Sequence, residues 1–323
     1  MNTFSFPVLL LLAAGLGTAG ASAQSAFPTR PVTLVVPAPP GGQTDVVARV
    51  VAQHLAGKLG QPIVIENRAG AGTNIGTAHV ARSAPDGYTI LVAAINFAAN
   101  SASTKDLPYD PIKDFRMVVH LTSNPNVLVV NVDSPYQSLQ DLLDAAKAKP
   151  AELTYGSAGL GSSMFLFMEM LKSMTKVDIL HVPYQGSARA NNDLMGGQIG
   201  MVFDSLPGAL PLVEGKKLRA LAQSGAQRAT QAPTIPTVAE AGVKDFEAES
   251  WLGIVAPAGT PEDIVQKINV AVNEVLEIPA VRSHLEGLGA RIIGGSSDQF
   301  DRFVKNQLDA WKKVLANAPV TKN

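Results

Sequence analysis

Between Pro31 and Ala94, three apolar, β-rich runs alternate with two helix-like runs, and few folds accept that order. "PVTLVV" (31–36), "PIVIENR" (62–68) and "YTILVAA" (88–94) read as strands. From Thr44 to Leu59 the spacing puts Val46, Val47, Val50, Val51 and Leu55 on one helical face, and Gly60 ends the run. Gly70, Gly72 and Gly76 then lead into a short helix, "IGTAHVAR". A β-α-β-α-β order predicts a parallel sheet with helices on both faces, that is, an α/β fold.

A second block repeats this logic. "NVLVVNV" (126–132) is a strand, and Ser138 with Asp141 gives an S-x-x-D capping signal for the helix that follows. "LTYGSAG", "DILHVPY", "IGMVFDS" and "RALAQSG" read as strands; "SSMFLFMEMLKSM" and "SARANNDLMGG" read as helices. "WLGIVAPAGTP" (251–261) is a strand closed by a turn, and helices over Glu262–Glu277 and Asp298–Ala316 finish the chain. If the strands at 126–132 and 251–261 both cross between halves, the chain forms two lobes around a cleft. The expected division is residues 27–126 plus 252–323 for one lobe and 127–251 for the other.

Composition narrows the function. With 46% hydrophobic and 16% charged residues, a packed globular core is expected. The net charge of −1, without a dense Lys/Arg run, leaves no electrostatic footprint for nucleic acid. The absence of cysteine removes disulfides, thiolate metal sites and Cys nucleophiles. At the N-terminus, "FPVLLLLAAGLGTAG" has the length of a signal-peptide apolar core, and Ala21-Ser22-Ala23 offers a cleavage site. Residues 1–23 are therefore expected to be a signal peptide, with a mature start near Gln24, although no Lys or Arg precedes the apolar run.

Two turns carry the chemistry. In "VVPAPPGGQTDVVAR" a strand ends at Val36, and the Pro39-Pro40-Gly41-Gly42 turn runs into a helix at Gln43 or Thr44. Bare glycine backbone and a helix N-terminus together hold an anion without a charged side chain. Thr44 suits either a cap or a ligand donor, and Asp45 suits either the helix dipole or a ligand N–H or O–H. The alternative is a tight βα turn with an ordinary cap. "YGSAGLGSS" (155–163) repeats the arrangement, with hydroxyls at Ser157, Ser162 and Ser163. It fails as a P-loop, because Ser162-Ser163 stand where Lys-Ser/Thr is needed, and as a nucleophile elbow, because Tyr155 precedes Ser157 by two. "GAGTNIG" (70–76) lacks the glycine at 75 that a dinucleotide fingerprint needs. The five histidines show no metal-ligand spacing, and His181, in an apolar strand, reads as structural. Asp204 ends a strand, where a carboxylate points toward a cleft or caps a turn. No cofactor is implied.

Together these motifs resemble one family, the periplasmic solute-binding proteins of tripartite tricarboxylate transporters, also called the Bug family. The resemblance rests on "FPTRPVTLVVPAPPGGQTDVVAR", "VIENRAGAGTNIG", "PDGYTILV", "LPYDPIKDF", "YGSAGLGSS", "HVPYQG", "GGQIGMVFDSLP", "PTVAEAG" and "WLGIVAPAGTP", in order, from about Phe27 to Leu315. It implies a two-lobed, type II periplasmic-binding-protein (Venus flytrap) fold that closes on a small carboxylate and delivers it to a membrane permease. It places one ligand carboxylate between Pro40, Gly41, Gly42, Gln43, Thr44 and Asp45 of one lobe and Tyr155, Gly156, Ser157, Ala158, Gly159, Ser162 and Ser163 of the other. Further contacts are implied at Asn96 and Phe97, at Gln185 and Gly186, and at Asp204. Met164-Phe165 and Asn96-Phe97 depart from the commoner family pattern, which suggests either an aromatic-friendly pocket or ordinary core packing. No Lys or Arg lies in these loops, which favours a mono- or dicarboxylate over a tricarboxylate; Arg189 is the one basic residue that would weaken this if it reached the cleft. The expected protein is an exported, non-enzymatic monomer; a receptor-linked sensor and a carboxylate-handling enzyme on the same fold are the alternatives.

Overall fold

The computed structural model describes Met1 and residues 27–104 and 106–316. The signal-peptide expectation for residues 1–23 falls almost entirely outside them. No described helix is long and apolar enough to cross a membrane.

The chain begins β1 (Val32–Val36), α1 (Gln43–Leu59), β2 (Ile63–Asn67), α2 (Asn74–Ala81), β3 (Thr89–Ala94), α3 (Ile95–Ser103). β1 pairs in parallel with both β2 and β3. α1 closes on Gly60 in the left-handed conformation, whose N–H caps the Ala56 carbonyl.

β4 (Phe115–Asn131) is the backbone of the molecule. The sequence predicted a strand only from Asn126, but β4 starts eleven residues earlier. Its first half pairs antiparallel with β9 (Glu249–Pro257), from Phe115↔Pro257 to Pro125↔Glu249. Its second half pairs with β7 (Met201–Ser205), from Asn126↔Ser205 to Val130↔Met201, and with β8 (Leu218–Gln223). β4 thus leaves one sheet and enters another at Pro125–Asn126. Because β3 meets β9 antiparallel, the first sheet is mixed rather than wholly parallel.

The second sheet is completed by β5 (Thr154–Ser157) and β6 (Leu180–Pro183) in parallel, with strand order β4-β7-β5-β6. Around it lie α4 (Leu139–Ala148), α5 (Ser163–Thr175), α6 (Ser187–Met195) and α7 (Leu206–Glu214). The Ser138 hydroxyl accepts from the Asp141 amide, and the Asp141 side chain accepts from the Ser138 amide, so the predicted capping signal closes as a capping box.

After β9 come α8 (Glu262–Leu276), α9 (Pro279–Gly287), β10 (Arg291–Gly294) and α10 (Ser297–Leu315). The sequence reading missed α9 and β10; β10 adds antiparallel to β4 over His120–Ser123. α10 packs on α3 and on the first half of β4, and also reaches α5, where Trp311 stacks on Phe167 with ring centroids 6.3 Å apart. One apolar core therefore runs from Phe97 and Phe115 through Trp251 to Phe167 and Phe203, beneath both halves. The fold is two-lobed α/β, and β4 is the strand that runs from one sheet into the other, while β9 pairs only within the first sheet.

Candidate functional site

Three helix N-termini meet at one cavity. Its wall includes Gln43 and Thr44 of α1, Ile95 and Asn96 of α3, and Ser162 and Ser163 at the start of α5. The paired strands contribute Asn124 from β4 and Ser250, Trp251 and Leu252 from β9. The cavity has a volume of about 320 Å³, and no charged side chain lines it.

Local sequence explains why two of these helix ends are bare and the third is only partly capped. α1 has Gly42 as its N-cap, and α3 has Ala94; neither supplies a capping side chain. Among the described residues, the amides of Gln43 and Thr44 have no protein acceptor and the Thr44 hydroxyl makes no hydrogen bond. At α5, the Ser162 hydroxyl is occupied: it accepts from the Phe165 amide at 3.3 Å and donates to the Gly159 carbonyl at 2.7 Å. The next amide, Ser163, has no acceptor among the described residues. A helix N-terminus carries about half a positive charge, which stabilises a nearby anion by about 0.3–1 kcal/mol at an exposed end. Three such ends around one uncharged cavity make a cradle for a carboxylate.

Asp45 lies beneath this cradle and not in its wall. It is 2% exposed. Its Oδ2 accepts from the Gly41 amide at 2.9 Å and from Arg49 Nε at 2.8 Å, and its Oδ1 accepts from Asn67 Nδ2 at 2.8 Å. The Arg49 hydrogen bond, with those from Gly41 and Asn67, outweighs burial and holds the carboxyl at a pKa of about 2. Asp45 is the anchor that folds the Gly41–Gly42 turn onto β2. Gly41 sits at φ +81°, a conformation that glycine adopts without strain.

The second turn has its own anchor. Ser157, fully buried, accepts from the Gly159 amide at 3.1 Å and lies 2.7 Å from His181 Nε2. His181 stacks on Tyr155 at 4.9 Å, and burial lowers its pKa. Tyr155 in turn donates to Glu169 Oε1 at 2.7 Å, which also pairs with Lys172 at 2.8 Å. The Ser157–His181 pair has no carboxylate bonded to the ring among the described residues, and the hydroxyl is sealed from solvent. It shapes the loop and has no access to a substrate.

Of the expected contacts, Gln43, Thr44, Asn96, Ala158, Ser162 and Ser163 line the cavity, while Pro40, Gly41, Gly42 and Gly159 belong to the turns beside it. Six others lie away from its wall. Phe97 is 1% exposed and packs against Phe115 and Tyr109, inside the core. Tyr155 and Gly156 are buried under the second turn. Gln185, exposed, accepts from Arg189, and Gly186 caps α6. Asp204 is also buried; its Oδ2 accepts from Asn191 Nδ2 at 2.6 Å, and burial raises its pKa. Met164 and Phe165 point into the core, so the aromatic-pocket idea loses its residues. Arg189 is exposed and outside the cavity wall, as the mono- or dicarboxylate argument requires.

The sequence reading missed Asn124, Ser250 and Trp251, which reach the cavity only because β4 and β9 pair with each other. It also missed Asn126, whose amide nitrogen donates to Ser163 Oγ at 3.1 Å and to the Phe203 carbonyl at 2.9 Å. Asn126 thereby ties the start of α5 to the crossing strand. Among the described residues, no cluster of His, Cys, Asp and Glu is placed to hold a metal ion.

Comparison with known proteins places these features. Residues 47–319 match the sequence model of the tripartite tricarboxylate transporter family receptor. Protein BugT of Bordetella pertussis is 36% identical over 310 residues, covering 95% of this chain and 95% of BugT. Among solved structures, a Rhodopseudomonas palustris protein determined with adipate is 40% identical, with a TM-score of 0.80 over 90% of this chain and 97% of its own. MatC from the same organism, determined with bound malate, is 35% identical, with a TM-score of 0.78 over 90% of this chain and all of its own, 100%.

Proposed function

The chain belongs to the tripartite tricarboxylate transporter receptor family, and from that premise we propose that it captures a small mono- or dicarboxylate between its lobes and hands it to the membrane permease of such a transporter. The family is one of periplasmic solute-binding proteins, not of enzymes. The observation that carries the reading is the meeting of three helix N-termini, two of them without a side-chain cap, at a cavity with no charged lining.

The ligand carboxylate sits against the amides of Gln43 and Thr44 from one side and Ser163 from the other, with the Thr44 hydroxyl as an additional donor. Each lobe supplies part of this shell, so only the closed form completes it. Differential affinity for that form drives closure. The lobes divide as residues 27–126 plus 252–323 and 127–251, and the protein acts as a monomer after export and cleavage near Ala23–Gln24. With no lining cation, a ligand of three charges would leave its outer carboxylates unpaired in the cavity, which is costly. Adipate and malate, bound by two relatives, each carry two carboxylates.

Thermal unfolding of the mature chain against a panel of mono-, di- and tricarboxylates tests this. A ligand at a hundred times its Kd stabilises by about 2.7 kcal/mol, a rise of a few degrees in Tm. Mono- or dicarboxylates are expected to give that rise and to be recovered unchanged by mass spectrometry. Stabilisation by tricarboxylates alone, or conversion of the ligand, would overturn the reading.

A further inference from the structure

Away from the start of α1, the cavity wall offers a ligand little free polar surface. Gln43 and Thr44 line the cavity, are at least partly exposed, and have side chains that make no hydrogen bond among the described residues. The other polar side chains of the wall are engaged or sealed. Asn96 donates to the Gly161 carbonyl, Ser162 to the Gly159 carbonyl and Ser250 to Asn126, while Ser163 accepts from Asn126. Asn124 and Trp251 are buried.

The rest of the exposed wall is apolar. It consists of Ala94, Ala158, Leu160 and the backbone at Gly72, with the buried Ile95 and Leu252 also in the lining. Leu160 is the largest of the exposed group, at 47%. A lone exposed leucine is ordinary, but this one is held where it stands. Gly159 and Gly161 flank it at φ +98° and +78°. The Ser157 and Ser162 hydroxyls fold onto the Gly159 amide and carbonyl, and Asn96 of α3 holds the Gly161 carbonyl at 2.7 Å. The turn is thus fixed on both sides of Leu160, whose side chain is left outside the core and in the cavity wall.

We propose that Leu160 is a specificity-determining residue: it covers the hydrocarbon body of a ligand whose carboxylate lies on the helix N-termini, and so selects carboxylates with an extended methylene chain over short or hydroxylated ones. The proposal rests on the carboxylate reading above. Each methylene moved from water onto apolar surface tightens binding by about fourfold at most. A hydroxyl on the body gains no free side-chain partner beyond Gln43 and Thr44 and loses its water, which weakens binding. A second carboxylate on a long chain can stay in solvent, whereas on a short one it is drawn into the wall unpaired.

The test is titration calorimetry of the mature protein with five probes: butanoate, hexanoate, succinate, adipate and malate. Hexanoate and adipate are each two methylenes longer than their partners, so in a pair that binds, the longer member is expected to bind about tenfold tighter. Malate, which is succinate with one hydroxyl, is expected to bind no tighter than succinate. Leu160→Ser should cut the advantage of the longer member to about threefold or less while leaving the shorter within about twofold, and Leu160→Met should keep it. Leu160 is exposed, so these variants are expected to fold, and their Tm checks it. A wild type without a length preference, malate binding tighter than succinate, an unchanged preference in Leu160→Ser, or an equal loss for long and short probes in that variant would each overturn the role of Leu160 and leave the carboxylate reading intact. Failure of all five probes to bind the wild type would overturn both.

Discussion

Asn96 Nδ2 donates to the carbonyl of Gly161 at 2.7 Å, joining the start of α3 to the turn before α5, 65 residues away. The bond joins two elements that both line the cavity. Gly161 sits at φ +78°, with the place of a Cβ only 3.1 Å from Asn100 Oδ1. Asn100 in turn holds the Gly72 carbonyl at 2.7 Å, so the turns at Gly72 and at Gly161 both rest on α3. This bond motivates the prediction that Asn96 latches the two halves together.

The latch should be separable from the cradle. Asn96→Ala removes one hydrogen bond, a net contribution of about 0.5–1.5 kcal/mol to the closed form. Small-angle scattering of the ligand-free variant should show a more open molecule, and ligand affinity should fall by about tenfold at most. Gly161→Ala should act in the same direction, because the left-handed backbone costs an L-residue about 1–2 kcal/mol. An unchanged scattering profile in both variants would rule out the latch.

Asp45 should matter as an anchor. Asp45→Ala leaves the Gly41 amide, Arg49 and Asn67 without their shared acceptor, and is expected to cost about 1–3 kcal/mol in urea unfolding along with ligand affinity. Thr44→Val, which removes only a free hydroxyl at the cavity, should weaken binding with little change in stability. If Asp45→Ala weakens binding without destabilising the fold, the carboxylate contacts ligand directly and the anchor assignment is wrong.

His120 sets a pH dependence. It lies between Phe303, at 4.4 Å, and Phe300, at 5.3 Å, with Trp251 at 6.2 Å and Ser123 Oγ 3.2 Å from Nε2. Burial first, and then the Arg291 charge, push its pKa from 6.5 to about 4. The folded state therefore refuses a proton that the unfolded chain accepts. The stabilising effect is complete above about pH 6.5 and declines as pH falls toward 4, by about 3 kcal/mol in all. Urea midpoints measured across that range should fall for the wild type and fall less for His120→Phe. Parallel curves for the two proteins would refute this.

What the sequence made legible was local. The β1–turn–α1 and β5–turn–α5 units announce themselves because apolar runs, glycines and helix starts lie within a few residues of one another. The capping box at Ser138 and Asp141 needs a window of four residues. The first half of β4 was hidden because His120, Thr122, Ser123, Asn124 and Pro125 break the apolar pattern; it is buried on both sides only once β9 and β10 pair with it. α7 was hidden by Pro207, Gly208 and Pro211. The site divides in the same way. Gln43, Thr44, Ser162 and Ser163 follow from the turns. The inward role of Asp45 depends on Asn67, 22 residues on, and the cavity positions of Asn124 and Trp251 depend on pairing between strands more than a hundred residues apart.

The central claim is that helix N-termini, with no side-chain cation, hold a carboxylate. Isothermal titration of the mature protein with adipate and malate, beside their diamides, tests it most directly. The diamides keep the shape and lose the charge. The account predicts binding of at least one dicarboxylate and a loss of about a hundredfold or more for its diamide, since charge-assisted hydrogen bonds are roughly twice as strong as neutral ones. Equal binding of acid and diamide would contradict it.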